Sequence, residues 1–258
     1  MINRITYIAL YFFSASLLCS FLLFTAPAST AADADEIPIE IQNTRVVFDE
    51  GQPSSRVSVR NKSNIPYLVA VDIQQYCGAG QECPGTEDFM TSPGFKIINP
   101  GQTFPFRIVK LAEDLPVDRE SLYLIHFRLL PSVADLSDKD LESARVSIAI
   151  VGTIKLFWRP GSLANTTGVL TVRDKLSAKC AENILEVNNP SPYWGTIGTL
   201  ESSRQTLLKD GPLPMVAPFS SISIPLSFCP QTISVSFIAE SGLLTSARSV
   251  TVQTDDAE

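Results

Sequence analysis

Short apolar runs separated by turn residues fill most of the chain after residue 38. In the first half, seven runs fit β-strands, with turns such as Asp49-Glu50-Gly51 and Asn99-Pro100-Gly101 between them. They cover residues 39–48, 56–59, 67–73, 95–98, 104–111, 122–130 and 146–158. Six further runs follow Pro160-Gly161, at residues 168–172, 183–188, 193–200, 221–226, 232–238 and 247–252. The pattern predicts an all-β protein with two β-rich halves, the first with the strand count of an immunoglobulin-like sandwich.

One run, residues 144–160, is much longer than the others. Val146, Ile148 and Ile150 fall on one face at period two, and the apolar sequence continues to Trp158 before Pro160 stops it. About 15 strand residues in succession exceed the usual 5 to 6. Such a strand runs past its sheet, turns into another domain or offers an edge to a partner. Alternation alone leaves open whether the apolar row faces a partner or the protein's own core.

The first 31 residues have the pattern of a signal peptide. Arg4 supplies a positive charge, residues 5–24 are almost unbroken apolar sequence, and small residues surround a cleavage site after Ala31 or Ala32. The alternative is an uncleaved membrane anchor, because about 20 apolar residues nearly span a bilayer. We therefore expect an exported protein with domains at residues 32–160 and 161–258.

Composition and charge exclude several classes of function. The formal net charge is −7, from 27 acidic and 20 basic residues, which argues against a nucleic-acid partner. His126 is the single histidine and no close Cys-x-x-Cys pair occurs, so we expect no metal site. No nucleophile motif or phosphate-binding glycine loop is present either, so we expect no enzyme, no cofactor and no small-molecule substrate. The loop acids, Glu120 among them, are expected to be solvated.

Four cysteines follow the predicted signal peptide, and four cysteines allow three disulfide pairings. Cys77 and Cys83 flank a short loop with glycines that lets its ends meet, and Cys180 and Cys229 both lie in the second half. In an oxidising compartment we predict the bridges Cys77–Cys83 and Cys180–Cys229.

Five motifs, in this order and spacing, resemble the successive signatures of periplasmic pilus-assembly chaperones of the chaperone/usher pathway, the PapD-like family. They are NTRVVF at 43–48, NIPYL at 64–68, LPVDRES at 115–121, IKLFWRP at 154–160 and NPSPY at 189–193. They span nearly the whole chain after the signal peptide, and five matches in order are far more specific than one.

The resemblance implies two immunoglobulin-like β-sandwich domains arranged as a boomerang with a cleft between them. In the family, an Arg and a Lys in the cleft anchor the C-terminal carboxylate of a pilin subunit, and Arg45 and Lys155 match them. The row of Val146, Ile148 and Ile150 matches the strand that these chaperones lay into the subunit's open groove. Lys155 has the opposite parity to that row, which predicts a bend or bulge, with Gly152 as the candidate, if both face the subunit.

The family also carries an ion-pair network between its domains. We expect Arg159 and Glu240 to provide two of its members here. We place the third member in an Arg-Glu-Ile-Pro motif, which reads Arg128-Leu129-Leu130-Pro131 in this chain, so Leu129 would remove it and leave the junction less tightly fixed.

The function implied is a periplasmic chaperone that binds pilin or fimbrial subunits and delivers them to an outer-membrane usher. The alternative is a secreted structural or adhesive protein with the same two sandwiches. A chaperone explains the Arg45 and Lys155 pair together with the apolar strand, whereas an adhesin or pilin is expected to carry its own assembly strand.

Overall fold

The computed structural model describes residues 38–78, 81, 83–131, 150–164, 168–203, 205–208 and 210–254, which form two β-sandwiches. The first contains β1 (Ile39–Ile41), β2 (Arg45–Asp49), β3 (Ser55–Asn61), β4 (Tyr67–Gln75), β5 (Phe89–Ser92), β6 (Phe95–Ile98), β7 (Thr103–Lys110), β8 (Ser121–Pro131) and β9 (Ile150–Arg159). Its sheets have the orders β1-β3-β7-β5 and β2-β9-β8-β4-β6. The predicted signal peptide, Val146 and Ile148 lie outside the described residues.

The first run of the chain, residues 39–48, divides between the two sheets of this sandwich. β1 pairs with β3 in one sheet, and β2 pairs with β9 in the other. Asn43 lies between them, and its side-chain oxygen accepts a hydrogen bond from the Ser58 backbone at 3.5 Å. The crossing places Arg45 at the start of a new strand. The apolar pattern did not predict β5, whose alternate residues Phe89 and Thr91 are buried.

The second sandwich contains β10 (Ser177–Ala181), β11 (Ile184–Asn189), β12 (Gly195–Ser202), β13 (Gln205–Thr206), β14 (Met215–Val216), β15 (Ser220–Pro225), β16 (Thr232–Phe237) and β17 (Arg248–Thr254). They follow the order β13-β12-β16-β17-β10-β11-β15, with β14 paired to β12. Leu185 and Val187 of β11 meet Ile233 and Val235 of β16 in one core. The sheet therefore folds over on itself, and its core is separate from that of the first sandwich.

Residues 168–172, predicted as a strand, belong instead to an α-helix, α1 (Gly168–Lys175). The prediction was wrong because the β-branched residues of this run, which favour a strand locally, do not decide its structure. Val169 and Val172 are three residues apart, so a helix places both on one face, and both are buried in the second core. Tertiary packing here outweighs the local preference for strand.

Both sandwiches use the same turn around a fully buried asparagine. The Asn61 side-chain amide donates to the carbonyl oxygens of Ile65 and Ile98 at 2.8 and 2.9 Å. The Asn189 amide likewise donates to the carbonyl oxygens of Tyr193 and Ala217, at 2.7 and 3.0 Å. Because the buried amide is satisfied by backbone on both sides, it fixes the path of the loop. In the second sandwich this loop leads directly to the contact with the first.

Both predicted disulfides are present in the structure. The S–S distances are 2.08 Å for Cys77–Cys83 and 2.03 Å for Cys180–Cys229. Cys77 lies exposed in the loop after β4, whereas Cys180 is buried in the second core. No helix within the described ranges combines the length and the hydropathy needed to cross a membrane.

Candidate functional site

Arg45 and Lys155 lie directly opposite each other on neighbouring parallel strands. β2 begins at Arg45, and its register with β9 pairs Arg45 with Lys155. Neighbouring strands are about 4.8 Å apart, and paired residues point to the same face of the sheet. The two cations are therefore side by side, on the face opposite the core residues Ile154 and Leu156.

Both side chains reach across the junction to the second sandwich. The Nη1 of Arg45 donates to the carbonyl oxygen of Ile238 at 3.2 Å, and the Nζ of Lys155 donates to the Oγ1 of Thr196 at 3.1 Å. The Nε of Arg45 is buried and has no hydrogen-bond partner among the described residues. The pair thus retains donors for an acceptor that the described part of the chain does not supply.

Burial disfavours the charged forms of both Arg45 and Lys155. Desolvation, together with the neighbouring charge of Arg45, lowers the pKa of Lys155 to about 8. Desolvation also lowers the pKa of Arg45, and the carboxylate of Glu240 opposes that shift. A bound anion would offset both the cost of desolvation and the mutual repulsion of the two cations.

Next to the pair, β9 has a strand edge that β2 does not cover. β9 pairs with β8 along Ile150–Trp158, whereas its pairing with β2 begins only at Lys155. Within the described residues, 150–154 are therefore hydrogen-bonded to a strand on one side only. An edge of this kind can accept a further strand.

Of the row Val146, Ile148 and Ile150, only Ile150 lies within the described residues, and its side chain does not face a partner. Ile150 packs against the core of the first sandwich, so at this position the row faces the protein's own interior. The predicted bulge at Gly152 is absent, because the ladder between β8 and β9 runs unbroken from Ile150 to Trp158. Ile150 and Lys155 consequently point to opposite faces of the strand.

The junction carries a complete ion-pair network, contrary to the expectation that Leu129 removes a member. Arg159 contacts Glu120 through Nε at 2.9 Å and Nη2 at 2.8 Å, and it contacts Glu240 through Nη2 at 2.5 Å. Leu129 is a core residue and takes no part. The third member is Glu120, which the sequence argument had placed among the solvated acids but which is only 4% exposed.

Glu120 also binds the second sandwich directly. Its Oε2 accepts a hydrogen bond from the backbone N–H of Trp194 at 2.9 Å, and its carbonyl oxygen accepts one from the Trp194 indole at 3.2 Å. Burial raises the pKa of Glu120, and the charge of Arg159 opposes the shift. Glu120 belongs to the LPVDRES motif. This motif supports the family resemblance, but by itself it does not indicate that the acid is buried or paired.

Both halves of the chain match models of one protein family. Residues 38–164 match the family described as pili and flagellar-assembly chaperone, PapD N-terminal domain, and residues 171–249 match the PapD C-terminal domain. An uncharacterized fimbrial chaperone of Escherichia coli K12, YbgP, is 30% identical over 188 residues, which are 72% of this chain and 74% of that protein. The chain belongs to the family of pilus-assembly chaperones. The resemblance seen in the motifs is thereby confirmed, and members of this family are not enzymes.

Solved structures show the same fold. The E. coli chaperone DraB is 25% identical, with a TM-score of 0.70 over 83% of this chain and 96% of DraB. A structure of the Salmonella enterica SafB chaperone in complex with the SafA pilin gives a TM-score of 0.71 at 22% identity, over 83% of this chain and 95% of that one. The expected all-β fold of two sandwiches is confirmed.

Proposed function

We propose that this chaperone binds pilin subunits in the periplasm, anchors their C-terminal carboxylate between Arg45 and Lys155, and adds the edge of β9 to them as a strand. The observation that carries the proposal is the register that pairs Arg45 with Lys155 where β2 begins. A carboxylate held there ends a chain that lies beside the uncovered edge at residues 150–154. The anchored carboxylate and the paired strand then belong to one continuous segment of the subunit. The anchor fixes which residues of that segment pair with which residues of β9.

The chemistry of the pair suits a chain terminus. A carboxylate has two oxygens with about four acceptor positions. The Arg45 guanidinium has five N–H donors, of which Nη1 gives one to Ile238, and Lys155 has three donors, of which Thr196 takes one. Because the site is partly removed from water, each charge-assisted hydrogen bond is stronger than at an open surface.

In this proposal, the part of the apolar row that precedes the described strand contacts the subunit. Ile150 covers the chaperone's own core, so Val146 and Ile148 are the members left to enter the subunit's groove. The register pairs Leu129 with Ile150, and β8 ends two residues later at Pro131. A strand that continued past this point would leave the sandwich and carry the row to a partner.

The test is co-expression in a bacterial periplasm with pilin subunits of the same bacterium. Arg45→Ala and Lys155→Ala should remain folded and soluble but should not co-purify a subunit. Lys179→Ala is the matched control, because this lysine is exposed on the second sandwich and pairs only with Glu186 in the described structure. Undiminished co-purification with both Arg45→Ala and Lys155→Ala would contradict the anchor.

The last step of the proposed function is delivery of the subunit to an outer-membrane usher. It is tested by adding purified chaperone–subunit complex to the usher from the same gene cluster in detergent. We expect the subunit to pass to the usher and the chaperone to be released without ATP. A complex that stays intact on the usher would contradict delivery while leaving the anchor untouched.

A further inference from the structure

The two disulfides of this chaperone differ in their surroundings. Cys180 is 2% exposed and belongs to the core of the second sandwich, and its bond joins it to Cys229, 49 positions along the chain. Cys77 is exposed and Cys83 is half-buried, and their bond joins residues six positions apart in the loop after β4. A reagent in solution can therefore reach the Cys77–Cys83 bond, whereas the core covers Cys180.

The two sulfurs of the exposed bond are not equivalent. The backbone N–H of Cys77 donates to the Sγ of Cys83 at 3.1 Å. Among the described residues, no hydrogen bond of this kind reaches the Sγ of Cys77. A donor aimed at a sulfur stabilises the negative charge that the sulfur takes up when the disulfide is broken. The Cys83 sulfur is thus the better leaving atom of the two.

The fold holds this donor in place on both sides of the loop. At one end, the Tyr76 N–H donates to the carbonyl oxygen of Leu122 at 3.0 Å, which continues the pairing of β4 with β8. At the other end, Gly85 returns to pair with Gln74 in an antiparallel bridge. The ends of the loop therefore stay together when the bond is broken. The donor remains close to the Cys83 sulfur, and the disulfide can form again.

We propose that Cys77–Cys83 is a thiol–disulfide exchange site, at which a dithiol reductant attacks Cys77 and Cys83 leaves. A thiolate of the dithiol bonds to the Cys77 Sγ, the Sγ–Sγ bond breaks, and its electron pair departs on the Cys83 Sγ. The second thiol of the reductant then bonds to the first and releases Cys77 as a thiolate. The dithiol gives up two electrons and becomes a disulfide, and its two protons are available to the two cysteine thiolates.

The same reaction is disfavoured at the second disulfide. Cys229 is half-buried, but attack on its sulfur would expel Cys180 as a thiolate inside an apolar core. Burial of this kind disfavours the charged form of a thiol, so Cys180 is a poor leaving group. Exchange is confined to the loop of the first sandwich, and the core of the second keeps its bridge.

The attacked sulfur is mapped with glutathione, a monothiol that leaves its adduct on the residue it attacks. The oxidised full mature chaperone is treated with glutathione, quenched with excess N-ethylmaleimide, digested and analysed by mass spectrometry. We expect glutathione on Cys77 with N-ethylmaleimide on Cys83 about tenfold more often than the reverse, and an intact Cys180–Cys229 bond. Equal or reversed labelling, or equally fast loss of the Cys180–Cys229 bond, overturns the proposal.

Two single variants test the hydrogen bond separately from exposure. Cys77→Ser keeps the backbone N–H and leaves Cys83 as a free thiol, whereas Cys83→Ser leaves Cys77 free without that donor. Both lack the same disulfide, so each is the control for the other. We expect iodoacetamide at about neutral pH to alkylate Cys83 several times faster than Cys77, although Cys77 is the more exposed residue. Equal rates, or faster alkylation of Cys77, would show that the N–H does not select the leaving sulfur.

Discussion

Glu120 is the buried partner whose charge should matter most to the stability of this chaperone. We predict that Glu120→Gln lowers the free energy of unfolding by about 3 kcal/mol. The buried charge of Arg159 loses its more buried partner, and this loss outweighs the gain from no longer burying the Glu120 charge, the burial that raises the pKa of that carboxyl. The side chains of Glu120 and Arg159 are only 3% and 8% exposed, so solvent does not replace the lost charge. Glu240 remains beside Arg159, and its carboxylate, although 41% exposed, still offsets part of the Arg159 charge. We therefore expect a loss at the lower end of the usual 3 to 5 kcal/mol.

The substitution is chosen to isolate the charge. Glutamine keeps the length of the side chain and an oxygen that can still accept from the Trp194 backbone, so packing and that hydrogen bond are preserved. The matched control is Asp118→Asn, two residues earlier in the same loop. Asp118 pairs with Arg119 at 2.7 Å, but both side chains are exposed, and we expect no resolvable change in stability.

The assay is equilibrium unfolding in urea, since a guanidinium salt would screen the charges under study. Trp194 contacts Glu120 at the junction, and Trp158 lies in the first core, so fluorescence reports on both regions. The expected fall corresponds to a decrease in melting temperature of roughly 6 to 12 °C for a chain of this size. A loss below about 1 kcal/mol, or a loss equal to that of Asp118→Asn, would show that the network does not hold the junction.

Three further outcomes are expected. Binding of a peptide with a free C-terminal carboxylate should weaken as the pH rises through about 8, where Lys155 loses its proton. The free chaperone should become more stable between pH 8 and about 10.5, because over that range only the unfolded chain still binds this proton. Lys155→Met should remove both effects. Ile148→Asp should reduce subunit co-purification without lowering the melting temperature, whereas Ile150→Asp, which places a charge against the first core, should lower it; unfolding of the isolated Ile148→Asp protein would refute the role given to the row. Gly242→Ala should destabilise more than Gly101→Ala, by about 1 to 2 kcal/mol in urea unfolding, because both have positive φ but only at Gly242 would the added Cβ meet another side chain, that of Thr44; equal losses would contradict that contact.

The sequence by itself determined the β-sandwich class, the two disulfide pairings and the family. Alternation along a strand depends only on residues two apart, so the apolar runs could be read without knowing their partners. The motifs around Arg45 and Lys155 could be recognised in the same way. Each of these conclusions rests on residues close together in the chain, or on a pairing within one half of it.

The tertiary structure decided which charges are buried and which way each apolar residue faces. Glu120 is buried because Arg159 and Trp194, which lie 39 and 74 residues further along the chain, close over it. Ile150 faces the first core because β8 sets its register, and the 168–172 run became a helix because the second core needed Val169 and Val172 on one face. Burial is a property of residues brought together from distant positions, so a local pattern does not by itself show which charges are buried or which of two interiors an apolar face meets.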